Sequence, residues 1–144
     1  MKRTAVQAQA AAIPFRRSAH GIEVLLVTRT GGGWGIPKGG VKKGQSAREA
    51  AAMECLEEAG ILGSVGTKLG SFTYRKGGRK RQVAVYALEV ERVLDRWLED
   101  GQRLRVWVPI AEAERMVRRK ETPRFLTKLR HRLLTAGVPA RLAA

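Results

Sequence analysis

Apolar residues recur along this chain at two different periods, and each change of period marks an element. Val6, Ala8, Ala10 and Ala12 fall on alternate positions, so residues 4–15 read as a strand with those four on one face. Residues 22–27, rich in leucine and β-branched side chains, read as a buried second strand after the turn Ser18-Ala19-His20-Gly21. Gly31, Gly32, Gly33 and Gly35 then surround Trp34, and Gly39, Gly40 and Gly44 follow; so many glycines predict a loop. Ser46-Ala47-Arg48-Glu49 has the form of a capping box, and it opens a helix through Ala59, with Gly60 where a left-handed C-terminal glycine is expected. Segments 61–74 and 82–91 are extended and are joined by Arg75-Lys76-Gly77-Gly78-Arg79-Lys80-Arg81, a hairpin signature. Residues 92–100 form a charged connection with a helical turn. Leu104, Val106 and Val108 alternate as a strand stopped by Pro109, and 110–118 reads as a helix. Thr122-Pro123 supplies an N-cap and a first-turn proline for a last helix over 122–136. Its apolar face is Phe125, Leu126, Leu129, Leu133 and Leu134, and Gly137 ends it. This order predicts an α/β fold of the α+β type, a mixed sheet with helices on both faces, in one domain spanning residues 1–144.

Composition narrows the class. A chain of 144 residues, 44% hydrophobic, is one domain's worth with enough apolar material for a packed core. Lys and Arg number 28 against 13 Asp and Glu, a net charge of +15, so the expected partner is an anion: nucleic acid, an anionic membrane or a phosphate-rich small molecule. Cys55 is the only cysteine, which excludes an intramolecular disulfide and a cysteine zinc cluster and fits a reducing, cytoplasmic compartment. Apolar runs fall short of the roughly 18–20 residues that span a bilayer, so no membrane is expected. Lys2 and Arg3 precede an alanine-rich stretch, but Gln7 and Gln9 interrupt it, which favours a strand over a signal peptide.

The chemistry concentrates in 39–61. Glu54, Glu57 and Glu58 stand at i, i+3 and i+4 and cover about 100° of the helix, while Ala51, Ala52, Cys55, Leu56 and Ala59 take the opposite arc. Like charges one turn apart repel, and the C-terminal dipole disfavours them further. Hard divalent cations relieve that repulsion, because clustered carboxylate oxygens are what Mg²⁺ or Mn²⁺ bind. The reading without chemistry is a solvated acidic face. Gly39, Gly40 and Gly44 before the helix let main-chain groups approach a metal or phosphate, and Lys38 adds a cation. Together these are the parts for metal-assisted cleavage of a phosphoanhydride.

Residues 39–61 resemble the Nudix box, whose signature runs from a glycine through a glutamate to Arg-Glu-U-x-Glu-Glu-x-Gly-U, with U aliphatic. Gly39 matches its first glycine, Glu54, Glu57 and Glu58 its later glutamates, Gly60 and Ile61 its end, and Cys55 its first aliphatic. The approach Trp34-Gly35-Ile36-Pro37-Lys38-Gly39-Gly40 resembles that of the diphosphoinositol polyphosphate and diadenosine polyphosphate phosphohydrolases. So do Leu69-Gly70-Ser71-Phe72, Val85-Tyr86-Ala87-Leu88, Trp97, Arg105-Val106-Trp107 and Thr122-Pro123. The resemblance implies an α/β/α sandwich and a metal-dependent pyrophosphohydrolase. Glu54 and Glu58, with Glu57, would ligate Mg²⁺ or Mn²⁺; Glu57, with Glu54 beside it, would activate the attacking water. Two positions depart: the first box glutamate is Gln45 and the box arginine is Met53. Gln45 keeps an acceptor oxygen without the charge, and Met53 has no donor, so metal binding should survive and turnover should slow or be lost.

Basic clusters suggest the substrate. Lys38, Lys42 and Lys43 crowd the glycine loop, and Arg75, Lys76, Arg79, Lys80 and Arg81 crowd the hairpin. Each could be a solvated turn. By resemblance Lys38, Gly39, Gly40, Arg79, Arg81, Arg103 and Arg105 would hold a polyphosphorylated small molecule, a diphosphoinositol or dinucleoside polyphosphate. Arg118-Arg119-Lys120 and Arg130-His131-Arg132 read as surface, His20 and His131 as without chemistry, and Trp34 and Trp107 as packing residues. Few aromatics are present for stacking single strands, so nucleic acid is the lesser partner. The alternatives are a Nudix-fold sensor that binds a polyphosphate or RNA without turnover, and a dedicated RNA-binding module. Oligomeric state is not legible.

Overall fold

The computed structural model describes residues 6–136. Its elements in chain order are β1 (Gln7–Ser18), β2 (Gly21–Thr28), β3 (Trp34–Gly35), β4 (Lys38–Gly40), α1 (Ala47–Ala59), β5 (Ile61–Lys76), β6 (Arg79–Val93), β7 (Arg105–Pro109), α2 (Ile110–Met116) and α3 (Thr122–Ala136). The strands make one mixed sheet. Its main order is β3-β2-β1-β6-β5, with β4 on β1 and β7 on β2, and β1 runs parallel to β6 and antiparallel to β2.

Alternation along the central strands sorts side chains into two buried layers. Ala10, Ala12, Leu25, Val27, Tyr86 and Leu88 meet Ala50, Ala51, Cys55 and Ala59 of α1. Ala11, Ile13, Val24, Leu26, Val83 and Val85 meet Ile110 and Ala113 of α2 and Phe125, Leu126 and Leu129 of α3. Ala10 and Ala12 share a layer as the period of two predicts, and the strand is buried on its other side as well: Ala11 and Ile13 are as buried as Ala10 and Ala12, while Val6 is exposed. A strand covered by helices on both sides uses its alternation to choose a layer, not to choose between core and water.

Several boundaries also differ from the sequence reading. The glycine stretch is not wholly irregular, since β3 pairs with β2 and β4 with β1, setting Gly39 opposite Ala10 and Lys38 opposite Ala11. The hairpin turn shrinks to Gly77-Gly78, both at positive φ, so Arg75, Lys76, Arg79, Lys80 and Arg81 lie on the strand ends. In the connection after β6, Gln102 and Arg103 N–H groups both donate to the Glu99 carbonyl, closing a single turn that goes no further. Leu104 precedes β7 and is exposed. α2 stops at Met116, where Val117 leaves to bridge Trp34. On α3, Phe125, Leu126 and Leu129 are buried, Leu133 packs at the margin and Leu134 faces water. Thr122 is its first helical residue and Pro123 its second, one place from the expected cap. Gly137, the expected stop, lies outside the described residues, as do residues 4 and 5 of the expected first strand. No described helix is long and apolar enough to cross a membrane.

Candidate active site

The site is assembled on the two ends of α1. At the start, Ser46 Oγ accepts the Glu49 N–H at 3.0 Å, satisfying an otherwise orphaned helix donor. At the end, Gly60 adopts φ 66° and its N–H donates to Leu56 O at 3.0 Å. Between these caps the three glutamates do not share one solvated face. Glu54 and Glu57 are half-buried, but Glu58 is only 6% exposed and lies with Ala50, Ala51, Cys55 and Ala59, while Ala52 and Leu56 are only partly covered. The reason is tertiary: the Lys38 N–H of β4 donates to Glu58 Oε2 at 3.0 Å, and the Arg103 guanidinium stands 3.4 Å from Oε1.

A fourth carboxylate joins them. Glu99 N–H donates to Glu57 O at 3.0 Å, docking the β6–β7 connection onto α1, and Arg103 Nε binds Glu99 Oε1 at 2.7 Å. Burial pushes the Glu58 carboxyl up to about 7, with Glu54 and Glu99 adding to the rise against the pull of Arg103 and the Lys38 N–H. Burial, then Glu57 and Glu99, hold Glu54 above the ordinary carboxylate range. Glu54 is also seated on bare backbone, since a Cβ at Gly39 would lie 2.3 Å from its Oε1. Among the described residues, no three His, Cys, Asp or Glu side chains converge into a ready ion cage. That still fits Mg²⁺, which dehydrates reluctantly and is held by one or two carboxylates plus substrate phosphates and waters. The donor set is all hard oxygen, and its crowding is relieved by a cation.

Beside this acidic patch opens a cavity of about 160 Å³. Glu58 is its one carboxylate; Arg29, Lys38, Lys76, Arg103 and Arg119 supply positive charge, and Phe72 and Tyr74 the aromatic wall. Lys38 Nζ donates to Tyr74 Oη at 2.9 Å, and Tyr74 O–H to Gln9 Oε1 at 2.7 Å. Burial would raise the Tyr74 phenol, but Lys38 and Arg81 outweigh it and hold the phenol below its ordinary value.

The residues expected from sequence fare differently. Lys38, Glu58 and Arg103 line the cavity; Gly39 underlies Glu54; Gly40 pairs with Gln9 of β1 and does not line the cavity. Arg81 reaches Tyr74, its guanidinium 5.9 Å from the ring, whereas Arg79 is exposed at the hairpin tip. Arg105 is corrected: its guanidinium is committed to the backbone, Nη1 to Ala59 O at 2.8 Å and Nη2 to Leu94 O at 2.6 Å, and it stacks on Trp97 at 3.9 Å. It closes the C-terminal end of α1 and does not line the cavity. Arg103 too is held by protein, its Nη1 donating to Thr28 O at 2.7 Å. Sequence reasoning missed Arg29, Tyr74 and Glu99, and it set Arg119 among surface residues. Nothing near them in sequence marks them: Arg29, Glu99 and Arg119 arrive from three different connections and Tyr74 from the end of β5.

This geometry defines a class: an α/β/α sandwich whose mixed sheet presents a carboxylate-bearing helix beside a cation-lined cavity. The sequence matches the NUDIX domain family over residues 6–129, and the chain belongs to that family. Nudix hydrolase 17, mitochondrial, of Arabidopsis thaliana is 35% identical over 100 residues, covering 67% of this chain and 55% of that protein. Diphosphoinositol polyphosphate phosphohydrolase 2 of Rattus norvegicus is 38% identical over 109 residues, covering 73% of this chain and 59% of that protein. The chain thus spans little more than half the length of these two relatives. The crystal structure of a C. elegans Ap4A hydrolase binary complex superposes with a TM-score of 0.77 at 24% identity, covering 92% of this chain and 100% of that one, a likeness of fold.

Proposed function

We propose that the protein hydrolyses a phosphoanhydride bond in a highly anionic substrate of the diphosphoinositol polyphosphate or dinucleoside polyphosphate type, with Mg²⁺ or Mn²⁺ as cofactor. One observation carries the reading: Glu54 and Glu58, both held above the ordinary carboxylate range, adjoin a cavity walled by Arg29, Lys38, Lys76, Arg103 and Arg119. In this reading Glu54, Glu57 and Glu58 would supply the carboxylates for the metal, one or two of them in direct contact. When bound, the ion lowers the pKa of water and screens charge growing on the phosphoryl oxygens. Glu57 or Glu54 takes the proton from the attacking water. Water oxygen bonds to phosphorus, the bridging P–O bond breaks, and the leaving phosphate departs as an anion. Lys38 and Arg103, both beside Glu58, offset the developing charge. A cytoplasmic location belongs to the same reading and rests on the lone Cys55, which is buried.

Phosphate release with Mg²⁺ from a panel of both substrate classes tests it. Glu54→Gln and Glu57→Gln should each lower kcat by at least about 100-fold; rates untouched by both would remove the mechanism.

A sensor that binds without turnover is the second reading, favoured by the box departures. Met53 is exposed and brings no donor, while Gln45 retains a loop contact, its Oε1 accepting the Lys42 N–H at 3.0 Å. Restoring both residues, Gln45→Glu with Met53→Arg, discriminates. A large gain from a near-zero rate selects the sensor, and little change selects the hydrolase.

A further inference from the structure

The glycines flanking Trp34 and the basic triplet Arg118-Arg119-Lys120 are far apart in sequence, yet the fold brings them together. A Cβ at Gly35 would lie 2.9 Å from Arg29 Cγ, and one at Gly33 would lie 2.9 Å from Arg118 Cδ. The missing side chains are therefore the space in which two arginine stems lie. Arg119 comes in from the α2–α3 connection, its guanidinium 4.3 Å from the Tyr74 ring centre. Arg29 and Arg119 line both the cavity and the open cleft that continues from it, where Arg118 and Lys76 join them.

Glu121 lines the same cleft, but these arginines are not paired with it. Among the described residues, the side chains of Arg29, Arg118 and Arg119 have no carboxylate within salt-bridge distance and donate no hydrogen bond to protein. Contrast Arg103 and Arg105, whose guanidinium groups are committed to protein oxygens. Burial, then Arg119 and Arg118, hold the Arg29 guanidinium below its ordinary pKa. Like charges packed this way raise the free energy of the empty fold, and a multivalent anion reverses the sign of their contribution.

The aromatic wall says which anion. Phe72 and Tyr74 are the aromatic residues lining the cavity. Arg119 and Lys38 both stand over the Tyr74 ring, Lys38 at 4.8 Å, and Phe72 is packed against Tyr74 and Phe125 with Arg119 at 5.6 Å. Phe72 is buried and the Tyr74 ring is already met by Lys38, Arg81 and Arg119, so a nucleobase stacking there has to displace a cation.

We propose that Arg29, Arg118 and Arg119 form a distal phosphate subsite, set in the Gly33 and Gly35 cradle, that selects phosphate-dense anions lacking a base over nucleotide polyphosphates. The proposal rests on the hydrolase reading only for its direction along a substrate, with the scissile end at the glutamates and the distal phosphates at the arginines. Binding itself needs neither metal nor turnover.

The test is calorimetric titration of the full chain in EDTA with inorganic tripolyphosphate, ATP and orthophosphate. Wild type should bind tripolyphosphate more tightly than ATP, and orthophosphate far more weakly. Arg29→Gln and Arg119→Gln should each weaken tripolyphosphate about tenfold, the size expected for losing charge-assisted contacts. Arg17→Gln, the same charge loss at an exposed site outside the cleft, should shift it by less than about twofold. Ligand-free Arg29→Gln should melt no lower than wild type, because repulsion is relieved, whereas loss of a structural arginine lowers the melting point. If Arg29→Gln does melt lower, the binding ratio of Arg119→Gln to Arg17→Gln decides. Cleft variants that bind tripolyphosphate like Arg17→Gln, or ATP binding as tightly as tripolyphosphate or tighter, overturn the proposal. Absent turnover with this binding pattern intact would defeat the hydrolase reading and leave the subsite standing.

Discussion

Glu58 carries the sharpest consequences at the scale of one residue. Its carboxyl titrates at about 7 in the fold against 4.5 for the free group, so the native state binds this proton more tightly than the unfolded chain. Stability from this group is therefore full at low pH and is lost as pH rises from about 4.5 through 7, a change on the order of 3 kcal/mol. In metal-free protein Glu58→Gln should raise the melting temperature at pH 8 and make little difference near pH 5, as thermal melts across that range would read. Divalent affinity should move oppositely, weakening as pH falls through 7 and Glu58 protonates; Mn²⁺ titration at pH 6 and 8 checks it. Gly39 gives a second test. Its added Cβ would meet only the end of the flexible Glu54 side chain, which can swing away. Gly39→Ala should leave the melting temperature nearly unchanged and still lower kcat by about 100-fold through displacement of Glu54.

At the scale of elements, α1 is the part the site depends on, and both its caps were legible. Ser46 and Gly60 stand at fixed offsets from an apolar period, and local backbone hydrogen bonds need no distant partner. Ser46→Ala should cost about 1 kcal/mol by denaturant unfolding. What α1 buries was not legible: spacing put Glu54, Glu57 and Glu58 on one arc, but only the approach of β4 and of the β6–β7 connection takes Glu58 out of water. The hairpin shows the same division. Its glycine turn was evident, while the pairing of Arg75 with Lys80 and Lys76 with Arg79, which fixes where the basic residues project, follows from a two-residue turn. Arg105→Gln tests the corrected placement. Leaving the Ala59 and Leu94 carbonyls without their donors should lower stability by about 1–3 kcal/mol and leave tripolyphosphate binding in EDTA near wild type. A selective loss of binding would return Arg105 to the substrate rim.

For the molecule as a whole, a net charge of +15 on 144 residues makes self-repulsion a property of the native state. Moderate NaCl should raise the melting temperature of the free protein by screening, and the same salt should raise KM for a polyanionic substrate with little effect on kcat. A KM indifferent to salt would detach the basic cavity from substrate capture. The charge is not spread neutrally over the fold. Arg29 follows β2, Lys76 ends β5 and Arg119 follows α2, so three connections far apart in sequence meet on one side of the sheet.

The amino-acid sequence alone determined the order of the elements other than β3 and β4, the caps of α1, the mixed sheet with helices on two faces and the NUDIX resemblance. These depend on periods of two and 3.6 and on residues at fixed local spacing, which the chain expresses without reference to its own folding. Tertiary structure decided which glutamate is buried, that Glu99 completes the acidic patch, that Arg105 serves the backbone, and that Arg29 and Arg119 share a cleft with the glycines that make room for arginine. Those outcomes turn on desolvation and on charges brought close from distant positions, and no local spacing records either.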